Sequence, residues 1–183
     1  MRAAVATVVL LATAVVAAGP EKPRVSREAL AAVEKSFDAR INRAILQNPL
    51  MLLGTSRGVY LSGYGVVFTA ELNLVTVPVF TPFRPKFTKE EIVMVRAMKL
   101  ERLKALKDLM REVMVGAAAS LDTVPAEEQI AVGVSLFYAR SWEDTTGLPS
   151  QVVMEAQKQK LLDYQAGRIN QQALEAATRV QEL

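Results

Sequence analysis

The sequence predicts an α+β fold: an antiparallel sheet of about four strands, arranged as two hairpins, with helices packed on one face and a long central crossover helix between the hairpins. Three observations predict it. Residues 66–75 alternate, with Val66, Phe68, Ala70, Leu72 and Leu74 on one side and Val67, Thr69, Glu71, Asn73 and Val75 on the other. Thr88-Lys89-Glu90-Glu91 is a capping box that opens a long apolar stripe of helical period. Two further strand-like runs, 129–137 and 151–156, bracket a polar loop over 141–150.

The chain begins with a segment that is set aside before the fold is read. Arg2 carries the only charge ahead of AAVATVVLLATAVVAA, residues 3–18, and small residues Val16-Ala17-Ala18 precede Gly19-Pro20. Residues 1–18 are therefore predicted to be a secretory signal peptide cleaved after Ala18, with 19–183 as a single α+β domain. An uncleaved anchor is the alternative, although the run is short and rich in alanine for a span. No cysteine follows the apolar run, so a lipoprotein anchor is excluded. The expected localisation is exported, periplasmic or extracellular after cleavage.

Residues 19–24 read as a charged, proline-containing linker. Ser26 caps a first helix predicted over 27–46, with Val25 and Leu30 as a staple and Leu30, Val33, Phe37, Ile41 and Ala44 as its apolar stripe. Asn48-Pro49 stops it. Val59 and Leu61 then alternate with Tyr60 and Ser62, and Gly63-Tyr64-Gly65 joins this run to the long alternating one as a hairpin corner. The same glycine-bracketed tyrosine reads alternatively as a ligand-contacting tip.

Prolines 78, 82 and 85 make the next stretch an irregular connection packed through Phe80, Phe83 and Phe87. The long helix follows, with Ile92, Val95, Lys99, Leu103, Leu106, Met110, Val113 and Ala117 on one stripe, ending near Ala119. In the second hairpin, Ile130, Val132, Val134 and Leu136 share a face. Ala131, Gly133 and Ser135 form the opposite one, small enough for a helix to approach. A helix over 157–166 stops at Gly167, and Asn170 caps a last helix, so that 158–183 reads as a terminal helix pair.

The chain has 183 residues, a formal net charge of +3, no cysteine and no histidine. Disulfides, thiolate or imidazole zinc sites, and Ser-His-Asp or Cys-His catalysis are excluded by composition. No cofactor is predicted. Four residue groups remain as binding candidates. Arg84, Lys86, Lys89, Arg96, Lys99, Arg102, Lys104, Lys107 and Arg111 make the stretch from Arg84 to Arg111 basic, a candidate surface for binding anionic lipid or polysaccharide. Helical spacing also allows it to be a solvated face laced with acids such as Glu101 and Asp108. Lys99 interrupts an apolar stripe; it reads as a snorkelling lysine or as the base of a Ser-Lys hydrolase. Trp142, in the loop RSWEDTTGLPSQ, is a candidate binding anchor or a cover for the sheet edge, and the neighbouring Glu143 and Asp144 lack calcium-loop spacing. Tyr64 completes the set.

The stretches LLGTSRGVYLSGYGVVFTAELNLV, TPFRPKFTKEEI, SLDTVPAEEQI and SWEDTTGLPSQVVM together resemble a group of exported bacterial proteins with no assigned function. The resemblance implies that these segments share one domain and carries over no activity or residue role. The sequence thus predicts an exported, non-enzymatic binding module or envelope-associated structural protein with a possible protein partner in the cell envelope. A small hydrolase using carboxylate or Ser-Lys chemistry and binding to an anionic surface are the alternatives. Export and the slight charge argue against nucleic acid, and the sequence leaves the oligomeric state open.

Overall fold

A computed structural model describes residues 25–44, 50–75, 87–139 and 142–183. The expected signal peptide and linker, the end of the first helix, the proline-rich connection with Arg84 and Lys86, and Arg140-Ser141 lie outside the described residues. The described elements are α1 (Arg27–Ala44), β1 (Met51–Leu52), β2 (Arg57–Leu61), β3 (Gly65–Asn73), α2 (Lys89–Ser120), β4 (Gln129–Leu136), β5 (Gln151–Gln157), α3 (Lys158–Gln165), α4 (Gln171–Ala177) and β6 (Arg179–Glu182).

The fold is α+β, but the sheet is mixed and has six strands, not four antiparallel ones. β1 and β2 run end to end along one edge of β3, and the order continues β3-β4-β5-β6. β3 and β4 are parallel, with Gly65 opposite Gln129 and Leu72 opposite Leu136. All other pairs are antiparallel. The two predicted hairpins exist in their strands and lie side by side. Alternation assigns faces and says nothing about which strand neighbours which, so the parallel join between them was not predicted. The predicted terminal helix pair is also corrected: α4 ends at Ala177 and the chain becomes β6, pairing Arg179 with Glu155 and Glu182 with Val152.

The local signals explain the helices. Thr88 accepts from the Glu91 N–H and the Glu91 carboxylate accepts from the Thr88 N–H, completing the capping box of α2. Asn170 caps α4 through the Ala173 N–H. The carbonyls where α2 ends are satisfied from elsewhere. Lys158 Nζ, buried, donates to the carbonyls of Leu121 and Val124, each at 2.7 Å.

The apolar faces of β3, β4 and β5 are covered by the helices, and Phe68, Leu72, Ile130, Val132 and Met154 are fully buried. α2 contributes Val95, Leu103, Leu106, Met110 and Val113, and α1 contributes Leu30, Val33, Phe37 and Ile41. The opposite face carries no described helix. A methyl added at Gly133 would touch only Thr69 Cγ2 and Val153 Cγ2, both at 3.9 Å. The small side chains of Ala131, Gly133 and Ser135 therefore admit no helix there, contrary to expectation; the larger faces attract the helices because they hold the apolar area.

Gly63-Tyr64-Gly65 is the corner of the β2–β3 hairpin. Gly65 has φ +132°, and a Cβ at this position would lie 1.9 Å from the Gln129 carbonyl oxygen. The glycine is required twice, by backbone conformation and by the close approach of β4. Gly63 has φ +79° with nothing within 4 Å of an added Cβ. Gly65→Ala is therefore expected to cost about 2 kcal/mol or more, against about 1 kcal/mol for Gly63→Ala. Urea unfolding of the two variants measures the difference, and equal losses would show that Gln129 does not impose the constraint.

The β2 edge is covered by side chains of α1. Glu34 accepts from the Gly58 N–H at 2.6 Å, Arg27 donates to the Gly58 carbonyl and pairs with Glu34, and Asp38 accepts from the Ser56 N–H. Burial pushes the Glu34 carboxyl up. The hydrogen bonds from Arg27 and Gly58 and the charges of Arg27 and Arg57 outweigh burial and hold it below its ordinary 4.5. A carboxylate held low contributes stability that is complete above pH 4.5 and is lost as the pH falls through the lowered value. Glu34→Gln should lower stability at pH 7 and flatten the acid limb. Denaturant midpoints at pH 7 and pH 3.5 test this, and parallel shifts at both would refute it.

Candidate functional site

Two polar constellations occupy opposite ends of the sheet. The first lies at the carboxyl ends of β3 and β4, where the loop before β5 folds back over the first half of α2. Lys99 sits on the buried stripe between Val95 and Leu103. Its ammonium lies 2.5 Å from Glu143 Oε2, with side chains 1% and 3% exposed, and 4.7 Å from the centroid of the Tyr138 ring. Tyr138 donates to the Pro149 carbonyl at 2.7 Å; burial and the Glu143 charge push its hydroxyl up to about 12. Arg96 Nε donates to the Thr146 carbonyl at 2.7 Å and faces Asp144 at 3.7 Å. Trp142 stacks on Phe87, just ahead of the α2 cap, with centroids 4.1 Å apart. Arg102 donates to the Leu74 carbonyl at 2.8 Å.

Four of the five predicted site residues, Arg96, Lys99, Arg102 and Trp142, are thus brought to one end of the molecule. Lys99 and Arg96 are directed at Glu143 and Asp144, and Arg96 and Arg102 at the backbone carbonyls of Thr146 and Leu74. Lys99 does not snorkel: it is buried, because Glu143 supplies a counter-charge inside the core. The arrangement is a clasp that fastens the 142–149 loop to α2. Other basic residues of the stretch are engaged as well, Lys107 with Glu182 and Arg111 with Asp108.

A buried pair of this kind resists the loss of one partner far more than the loss of both. Lys99→Met or Glu143→Leu alone is expected to cost about 3–5 kcal/mol, and the double substitution to recover most of it. Chemical denaturation of the three variants decides; additive losses would mean that the two charges are not coupled.

The second constellation lies at the amino ends of β3 and β4 and forms an open groove of about 650 Å³. Tyr64 reaches across β4 to β5, where its hydroxyl donates to Glu155 Oε2 at 2.6 Å. Arg179, opposite Glu155 in the β5–β6 pair, donates to Glu155 Oε1 at 3.3 Å. Gln129, Gln157, Glu127 and Lys160 complete the polar lining. The Tyr64 carbonyl accepts from the Gln129 N–H at 2.7 Å, which pins the corner onto β4. Burial, with the hydrogen bond to and the charge of Glu155, pushes the Tyr64 hydroxyl up to about 12, with Arg179 opposing. Tyr64 is therefore a fixed donor and not a base at neutral pH.

The groove offers both charge signs, amides and one aromatic ring, the chemistry of polar recognition. Sequence reading found Tyr64 and missed Glu155, Arg179 and Lys160. In the sequence Glu155 shows only as the outward residue between Met154 and Ala156, and Arg179 falls within the stretch 158–183 that reads as helical. Among the described residues no three metal-ligating side chains cluster and no helix is long and apolar enough to cross a membrane. No protein-family model, curated protein or solved structure matches the chain.

Proposed function

We propose that this chain is a non-enzymatic binding module that works outside the cytoplasm after removal of residues 1–18 and holds an extended partner segment of mixed charge in the Tyr64 groove. One observation carries the reading. Glu155 is gripped from two sides by Tyr64 and Arg179, so the groove presents a preset row of donors and acceptors before any ligand arrives. Glu127 and Glu155 face Lys160 and Arg179 across the same lining, which suits a segment carrying both signs. Of the hydrolase alternative, the Ser-Lys form needs Lys99 as a base. Its ammonium is sealed in the core against Glu143, out of reach of a substrate.

A fluorescent peptide of alternating lysine and glutamate is expected to bind by anisotropy more tightly than all-lysine or all-glutamate peptides of equal length. Tyr64→Phe should weaken it about tenfold, as loss of a hydrogen bond to a charged group does. Equal affinity for all three peptides, or an unaffected Arg179→Glu variant, would end this reading, as would saturable turnover by the purified chain in a hydrolase screen. The mass of the protein recovered outside the cytoplasm tests the cleavage after Ala18.

A further inference from the structure

A different cavity lies in the helical layer and shares no lining residue with the Tyr64 groove. It is a half-open cleft of about 420 Å³ lined from α1, α2, α3 and α4, within the size range of small-molecule sites. Val115, Gly116, Leu174 and Tyr164 supply apolar or aromatic lining, and Arg40 and Arg111 supply two guanidinium groups. Arg40 and Gly116 also border a narrower slot of about 140 Å³ between α1 and α2, which continues over Val33, Phe37, Val113 and Ala117. The two depressions thus border one another at Arg40 and Gly116.

Gly116 has no role in the fold that requires glycine. It lies inside α2, and an added Cβ would meet only Arg40 Nη2, at 3.6 Å, an ordinary contact. Glycine within a helix is less stable than alanine, and Ala117, Ala118 and Ala119 follow directly. What the missing methyl does is leave room beside the Arg40 guanidinium, where cavity and slot border one another.

Asp108 and Glu112 share the lining with the two arginines. Arg40 pairs with Glu112 and Arg111 with Asp108, but the carboxylate side chains are 64% and 67% exposed against 35% and 22% for the arginines. Such exposed pairs are weak, so a ligand anion can displace the carboxylates into water at little cost. We infer that this cavity binds a single-chain anionic amphiphile, its carboxylate or phosphate head held between Arg40 and Arg111 and its alkyl chain passing over Gly116 into the slot beside Phe37.

The test is calorimetric titration of the whole chain with decanoate, decyl phosphate, decanol and decyltrimethylammonium, each below its micelle concentration. Decanoate and decyl phosphate are expected to bind one to one, at least tenfold tighter than decyltrimethylammonium. Their ratio tells whether a free fatty acid or a phospholipid-like head is preferred. Gly116→Leu should abolish this binding, and Gly116→Ala should weaken it while raising the melting temperature, which keeps the test valid if the larger residue fails to fold. Arg111→Gln should weaken the two anions and leave decanol unchanged. Tyr64→Phe should change nothing. Unaltered decanoate binding in the Gly116 variants, equal affinity for the cationic amphiphile, or no binding of either anion would overturn the inference.

Discussion

The parallel pairing of β3 with β4 is the constraint on which the rest of the structure depends. Adjacent parallel strands cannot be joined by a tight turn, because the chain must travel back to the end from which it started. α2 makes that return. At 32 residues it is about 48 Å long, whereas the nine residues of β3 span about 30 Å. The helix therefore outruns the sheet, and Val93 and Met94 near its start are exposed. Lys99, set on the buried stripe of this helix, would be an uncompensated charge unless something met it. The loop beyond β4 meets it with Glu143, and Arg96 and Trp142 add further fastenings. The crossover dictates the helix, the helix dictates a buried cation, and the cation dictates where the loop must lie.

The two ends of the sheet consequently differ in chemistry. At the carboxyl ends of β3 and β4, the polar groups are consumed by the clasp. At the amino ends, the hairpin corner leaves Tyr64 lying across β4 to Glu155, with Arg179 and Lys160 beside it in an open groove. The edges are handled differently too. α1 spends Arg27, Glu34 and Asp38 on the backbone of the β2 edge, which protects it from pairing with another chain. The described helices lie on one face of the sheet; on the other, Tyr64 reaches over β4 to Glu155.

Much of this was legible because it is local. The capping box of α2, the Asn170 cap, the stripe of α1 and the alternation of β3, β4 and β5 all depend on residues within one or two turns or strand steps of each other. What was not legible depends on distant partners. β1 is two residues long and carries no period of its own. Arg179–Glu182 has no strand signature; it becomes β6 because β5 offers an unpaired edge. Lys99 stood out on its stripe, but nothing in the spacing named Glu143, which approaches from a separate loop. Tyr64 stood out between its glycines, while Glu155 and Arg179 acquire meaning only from the register of β5 against β6.

The face of the sheet that carries no described helix has a thermodynamic consequence. Unfolding raises the heat capacity in proportion to the apolar surface newly wetted, ordinarily about 12–15 cal/mol/K per residue. Here Thr69, Glu71 and Gln151 already stand in water on that face, and Gly133 and Ser135 are partly wetted. Only apolar surface hidden in the fold adds to this increment, so it is set by the layer between sheet and helices, where Phe68, Leu106, Met110 and Ile130 are buried.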